Sequence, residues 1–266
     1  MDLELAGKVA VITGGSRGIG KAIARELARE GVDLALVARD PDTLESTRAE
    51  IAAEFGRRVI AISADTTDAE AVRAMARTVE AEFGGADILV NSGAKPAGQG
   101  RPPSWEEVEQ GNFDDEMHTK VLGYLRCAQA LIPSMKARRW GRIVNISGLG
   151  ARSTGNILGT IRNTAVVAMA KNLADDLGRF GINVTVVHPG VTRTEKTPGV
   201  IAARASARGV SEAEIEQRMN EENSIRRLVD ASEIAYVVAF LCSPKAIAIN
   251  GDVIAAGGGA PGAVYY

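Results

Sequence analysis

The chain has 266 residues, 45% of them apolar, with 31 lysines and arginines against 33 aspartates and glutamates and a formal charge of −2. That length suits one large α/β domain or two small ones, and the balanced charge offers no attraction to nucleic acid or to an anionic membrane. No stretch reaches the roughly 18 apolar residues of a spanning helix. The first strand-like residues come early enough to leave no room for a signal peptide, so a cytoplasmic protein is expected.

The first element carries the most information. Lys8-Val9-Ala10-Val11-Ile12-Thr13 feeds the turn Gly14-Gly15-Ser16-Arg17-Gly18-Ile19-Gly20. That turn opens a helix with apolar Ile19, Ile23 and Leu27 and charged Lys21, Arg25, Glu26 and Arg29. Glycines let the main chain approach a pyrophosphate, and a helix start offers it unpaired N–H groups and the positive end of the dipole. Strand, glycine turn and helix in this order predict a dinucleotide site. A turn that serves only tight packing is the alternative.

Residues 33–38, 58–63, 87–91, 142–147, 182–187 and 252–256 read as further strands. Helices are predicted at 18–30, 41–55, 68–83, 113–138, 159–179 and 230–243. Alternation with nearly continuous apolar strands predicts an α/β, Rossmann-type doubly wound sheet, mostly parallel and seven-stranded, with helices on both faces. The ligand then belongs at the carboxyl ends of the strands, where strand order reverses.

Residues 92–112, with Pro96, Gly98, Gly100, Pro102 and Pro103, read as a long loop. Residues 195–229 are charged and weakly apolar, and Ser211-Glu212-Ala213-Glu214 has the spacing of a capping box that starts a helix. Cys127 and Cys242 fall on predicted helices, as small buried hydrophobes rather than a disulfide. His118 and His188 have no second ligand at metal-binding spacing, so no metal site is predicted.

Thr13-Gly14-x-x-x-Gly18-x-Gly20 resembles the short-chain dehydrogenase/reductase family, and the resemblance runs from about residue 5 to 259. Asn91-Ser92-Gly93-Ala94 stands where that family has Asn-Asn-Ala-Gly. Gly141-Arg142-Ile143-Val144-Asn145-Ile146-Ser147 is similar to its fifth strand, and Pro189-Gly190-Val191-Thr192-Arg193-Thr194 to its Pro-Gly-x-x-x-Thr loop. Residues 240–243 and 250–254 match its last helix and strand.

The resemblance implies one dinucleotide-binding domain over 1–266, with 195–229 as a mobile substrate lid; a solvated helical insertion is the alternative. It implies a small-molecule substrate and a homotetramer, or a dimer, through the helices at 113–138 and 159–179. It implies cofactor contacts from Gly14, Ser16, Arg17, Gly18, Ile19, Gly20, Arg39, Asp65, Thr66, Asn91, Gly93, Pro189, Gly190, Thr192 and Thr194. Asp65-Thr66 would meet the adenine, and Asn91 would steady the sheet beneath the nicotinamide. Relatives that prefer NAD place a carboxylate at the position of Ala38 to hold the ribose 2′-hydroxyl. Here Val37-Ala38-Arg39-Asp40 offers none, and Arg17 and Arg39 can fork onto a 2′-phosphate. NADP(H) is therefore expected over NAD(H), with two merely solvated arginines as the alternative.

The family's catalytic signature is a tyrosine with a lysine four residues on, a serine before them and an asparagine upstream. Tyrosines stand only at 124, 236, 265 and 266, none with a lysine at the fourth place. Aligning Ala165-Val166 and Lys171-Asn172-Leu173-Ala174 with the family's helix puts Gly159 at the tyrosine position and Asn163 at the lysine position. Ser147 falls one place early, where Gly148 holds the serine position. Lys120-Val121-Leu122-Gly123 resembles Asn-x-x-Gly with lysine for asparagine.

The candidate catalytic set is therefore Ser147, Lys120 and Asn163, with ammonium and carboxamide exchanged and the ammonium placed to stabilise a developing alkoxide. Lys120 snorkelling to solvent beside a drifted site is the alternative. The proton donor is Lys120, Ser147, His118, a group on the substrate, or Tyr265 or Tyr266 from a neighbouring subunit's tail. The implied function is an NADP(H)-dependent oxidoreductase acting on a carbonyl/alcohol pair through an atypical site. A catalytically silent NADP-binding or partner-binding scaffold, and a lyase or hydratase in the same cleft, are the alternatives.

Overall fold

The computed structural model describes residues 1–94, 102–262 and Val264. Strand β1 (Val9–Thr13) is buried at every position, as a strand covered on both faces must be. It is followed by α1 (Gly18–Arg29), β2 (Asp33–Ala38), α2 (Pro41–Phe55), β3 (Val59–Ser63), α3 (Ala69–Phe83) and β4 (Ile88–Asn91). Then come α4 (Gln110–Glu116), α5 (Gly123–Arg138), β5 (Gly141–Ile146), α6 (Ile157–Leu177) and β6 (Ile182–Pro189). The chain closes with β7 (Thr192–Arg193), α7 (Thr197–Arg208), α8 (Glu212–Asn220), β8 (Val229–Asp230), α9 (Ala231–Cys242) and β9 (Val253–Ala256).

Seven strands form one parallel sheet in the order β3-β2-β1-β4-β5-β6-β9, the predicted doubly wound architecture. Strand order reverses between β1 and β4, where Thr13 is level with Val37 on one side and Asn91 on the other. Alternate residues feed opposite layers: Ala10 and Ile12 join Ile23, Leu27 and Val238 on one face, while Val11 joins Val79, Tyr124 and Val166 on the other.

Helix ends follow local chemistry. Asp40 accepts the Thr43 N–H at the start of α2, Asp68 accepts those of Glu70 and Ala71 at α3, and Gly56 and Gly84 end those helices in the left-handed conformation. Helix α1 lacks such a cap: its cap residue Arg17 makes no side-chain cap bond, and the first turn carries no acidic residue.

At the amino-terminal foot of the sheet, Arg142 is 2% exposed and donates to the carbonyls of Gly141, Ser243 and Gly181. Its guanidinium lies 4.6 Å from the centre of the Trp140 ring, which Lys8 also covers at 4.2 Å.

Two expectations needed correction. The helix predicted at 113–138 begins at Gln110 and is interrupted by a π-helical stretch, Met117–Leu122, before α5. The wider turn seats Gly123 against Thr66, where a Cβ would stand 2.9 Å from the Thr66 hydroxyl. The loop expected at 92–112 contains a short 3₁₀ turn, Trp105–Glu107, and loses its last residues to α4; Pro96, Gly98 and Gly100 lie outside the described residues. In 195–229 the helix expected from Ser211 forms, its hydroxyl accepting the Glu214 N–H at 3.2 Å. Helix α7 precedes it, and the two share a small apolar cluster of Ile201, Ala205, Ile215, Met219 and Leu228. Cys127 and Cys242 are free, buried thiols, each pushed up to about 12 by burial. Among the described residues no helix is long and apolar enough to cross a membrane.

Candidate active site

The glycine turn lies at the crossover point, built for close main-chain approach. Gly14 adopts φ +67°, and a Cβ there would stand 2.9 Å from the main chain of Gly93 and of Ser92. A Cβ on Gly20 would land inside the Gly14 carbonyl. Thr13, which the sequence reading left without a role, ties the two crossover loops together by accepting the Ser92 and Gly93 N–H groups at 3.1 Å each. Ser16 is buried, and its carbonyl accepts the Thr47 hydroxyl. Ile19 packs against the core beneath the turn. With the α1 N-terminus uncapped by its own side chains, the turn fits a dinucleotide pyrophosphate.

Arg17 and Arg39 are both exposed, each beside a carboxylate: Arg17 is 3.9 Å from Asp40, and Arg39 is 4.0 Å from Asp65. Asp65 also accepts the N–H and hydroxyl of Thr67 at 2.9 Å each. Asn91 donates to Asn145 at 2.9 Å and to the Tyr124 carbonyl at 3.4 Å. Gly190, after Pro189, is packed so closely that a Cβ would meet Gly257 at 3.0 Å. Thr192 donates to the Gly190 carbonyl at 3.0 Å, and the Thr194 N–H donates to Thr197 at 2.8 Å.

The three candidate catalytic residues meet. Lys120, only 4% exposed, donates from Nζ to Asn163 Oδ1 and to the Ser147 carbonyl, each at 2.9 Å. Ser147 Oγ donates to the Asn163 carbonyl at 3.2 Å. Lys120 therefore points inward rather than snorkelling to solvent, and its ammonium and the Asn163 carboxamide are bonded to each other.

Burial pushes the Lys120 ammonium down to about 7; the nearby Arg162 guanidinium lowers it further and Glu116 opposes both. Arg162 itself is buried and donates to Glu116 from one turn of α6 to the end of α4. His188 accepts the Gly148 N–H on Nδ1 at 3.2 Å. It is pushed down to about 4 by burial, then by Arg152 and Lys120, so it stays neutral at pH 7. His118, by contrast, is exposed on the π-helical stretch, outside this cluster. Tyr265 and Tyr266 lie outside the described residues.

Gly159 is buried in the first turn of α6, its N–H donating to the Asn156 cap at 2.9 Å. A Cβ at 159 would stand 2.8 Å from the Asn156 carboxamide, so any side chain there displaces that cap.

The sequence reading missed Arg162, Glu116 and His188. A His-Pro-Gly at a strand end and an arginine beside Asn163 were visible signals, but nothing in the spacing brought them together.

Residues 14–260 match the family model described as "Enoyl-(Acyl carrier protein) reductase". The chain is 33% identical over 257 residues to the 3-oxoacyl-(acyl-carrier-protein) reductase FabG of Staphylococcus aureus, covering 95% of this chain and 97% of that protein. With the Vibrio cholerae protein of the same name the figures are 32% over 267 residues, 97% and 98%. Among solved structures, the L-sorbose reductase of Gluconobacter frateurii complexed with NADPH and L-sorbose superposes with a TM-score of 0.92 at 31% identity, covering 99% of this chain and all (100%) of that one. NAD+-bound xylitol dehydrogenase gives a TM-score of 0.87 at 26% identity, covering 96% and 100%. The chain belongs to the short-chain dehydrogenase/reductase family of oxidoreductases.

Proposed function

We propose that this protein is an NADP(H)-dependent oxidoreductase acting on a carbonyl/alcohol pair of a small molecule, with Lys120 as its proton-holding group. The observation that carries the reading is the Lys120–Asn163 hydrogen bond, made where Lys120 also meets the Ser147 carbonyl just past β5. A lysine and a carboxamide, the two polar partners that the family signature places here, are both present and in contact with their places exchanged. The cofactor, when bound, gives or takes the hydride. Gly14, Gly18 and Gly20 shape the pyrophosphate seat, and Pro189-Gly190 with Thr192 and Thr194 borders it. Asn163 Oδ1 and the Ser147 carbonyl fix Lys120 Nζ, which holds a proton near neutral pH and opposes negative charge developing on a substrate oxygen. The 195–229 segment is the substrate lid over a single-domain body. NADPH binding by calorimetry, followed by a carbonyl panel read at the nicotinamide absorbance, tests the proposal; absence of binding sinks it.

A silent NADP-binding scaffold is the second reading. What favours it is that Lys120 and Ser147 direct their hydrogen bonds at protein acceptors. An active parent enzyme rejects it.

Cofactor preference rests on Arg17 and Arg39, with no carboxylate at Ala38. NADPH should bind more tightly than NADH, and Arg39→Asp should invert the order, because it removes a guanidinium and adds a repelling charge. Equal affinities in the unmodified protein would overturn this. Asp40 and Asp65 each face one arginine, so the 2′-phosphate must compete with them, and the preference should weaken at high salt.

A homotetramer is expected from the resemblance, and Leu122, Ile157 and Ile161 are exposed along the π-helical stretch and α6. Light scattering at micromolar concentration should give four times the 27.9 kDa chain mass, or twice it for a dimer; a monomer refutes the assembly.

A further inference from the structure

We infer that the Glu195 carboxylate is a built-in rival of the dinucleotide pyrophosphate, so that release of Glu195 from the glycine turn and capture of the cofactor are one coupled event. The inference rests on the dinucleotide reading above. Gly18 is the first residue of α1, and its N–H donates to both Glu195 oxygens at 3.1 Å, across 177 positions of sequence. Neither the cap residue nor the first turn of α1 supplies a carboxylate, so the anion that satisfies this helix start comes from the far segment.

A pyrophosphate seated on the glycine turn needs the same donors and carries the same sign of charge. Both anions cannot hold Gly18 at once. The contact is backed by shape: Gly18 adopts φ +55°, and a Cβ there would come within 3.7 Å of the Thr194 methyl, so the residue before Glu195 already lies against the turn.

Glu195 also stands where the leverage is greatest. It sits between β7, which pairs with β8, and α7, which packs on α8 through its own apolar cluster. Arg193 holds α8 through Glu216 at 2.5 Å. At the other end of the segment, the Ser224 N–H donates to the Gly258 and Gly259 carbonyls at 3.1 and 2.9 Å. Helices α7 and α8 are thus a small body tied down at both ends, with Glu195 as its one direct hydrogen bond to the glycine turn among the described residues. Charge at residue 195 therefore sets how firmly that body rests on the cofactor seat.

The test is calorimetric titration of the full chain and of Glu195→Gln and Glu195→Ala with NADPH. Adenosine 2′-monophosphate, which has the 2′-phosphate but no pyrophosphate, serves as the control ligand. Glu195 is exposed, so neither variant threatens the fold. Both should bind NADPH at least about five-fold more tightly than the parent, the lower range for coupling between two sites, with the control ligand's affinity unmoved. Unchanged or weaker NADPH binding in the variants, with the parent binding normally, overturns the inference and leaves the dinucleotide reading standing. Equal gains for both ligands also overturn it, because the effect would not be on the pyrophosphate. No binding of NADPH by any of the three proteins overturns the dinucleotide reading and the inference with it.

Discussion

Lys120→Ala is expected to lower turnover by at least about 10²-fold while leaving NADPH affinity mostly intact, the usual scale for losing an electrostatic contact made in the transition state. The other groups of the cluster are poorly placed to take over: Ser147 Oγ already donates to the Asn163 carbonyl and Arg162 to Glu116. Gly159 has no side chain, Asn163 carries no charge, and His188 is held neutral with Nδ1 already accepting the Gly148 N–H. The pH profile supplies a second check. Burial, then Arg162, brings the Lys120 ammonium to about 7, so carbonyl reduction, which consumes its proton, should slow as pH rises through about 7. Alcohol oxidation should speed up over the same range. Steady-state rates of parent and variant from pH 5.5 to about 9 decide the matter; a variant as fast as its parent ends the exchanged-cation idea.

The same residue should cost the protein stability, and the cost has a sign that pH reveals. In the unfolded chain Lys120 holds its proton to about pH 10.4, whereas in the folded protein it loses it near 7. Between those values the unfolded state binds more protons, so stability rises with pH; below about 7 the full penalty applies. Lys120→Met removes a penalty on the order of a few kcal/mol at low pH. It also strands Asn163 Oδ1 and the Ser147 carbonyl, at about 1–3 kcal/mol. The melting temperature of Lys120→Met should therefore exceed the parent's at pH 6, and the advantage should shrink or reverse toward pH 10. A loss of equal size at every pH would mean that Lys120 is an ordinary packing residue. A substitution that raises stability while abolishing turnover marks a strained functional group.

The layers of the fold were legible because strands buried on both faces are apolar up to their carboxyl ends, as Val9–Ile12 of β1 and 88–90 of β4 show, with Thr13 and Asn91 as the polar last residues. The glycine turn was legible for a steric reason: only hydrogen fits at Gly14 and Gly20. The π-helical stretch was not, because an extra residue in one turn leaves the charges and apolar residues of 113–138 looking like one regular helix. Helix α7 escaped because its apolar side packs on α8 in a satellite cluster rather than on the sheet, and so leaves only a weak periodic trace. In the site, Lys120 and Asn163 were singled out by resemblance alone, while their contact required the fold. Nothing in the sequence marks Arg162 and Glu116 as partners, since it does not reveal that two helices press them together. Glu195 gave no sign at all, as its partner is a main-chain N–H at the opposite end of the chain.

Arg142 and Lys120 place a basic group at each end of strand β5, one permanently charged and one that titrates. At its foot stands a cation held by carbonyls and an indole; burial lowers its proton affinity, but from a starting point so high that it remains charged throughout. Just past its head, the Ser147 carbonyl holds a cation that gains and loses its proton near neutrality. Five residue steps lead from Arg142 to Ser147, roughly 16 Å, and at an effective dielectric of 20 two charges that far apart interact by about 1 kcal/mol. That coupling is small beside the burial that sets the Lys120 proton affinity, so the head of the strand can be retuned with little effect on the anchor beneath it.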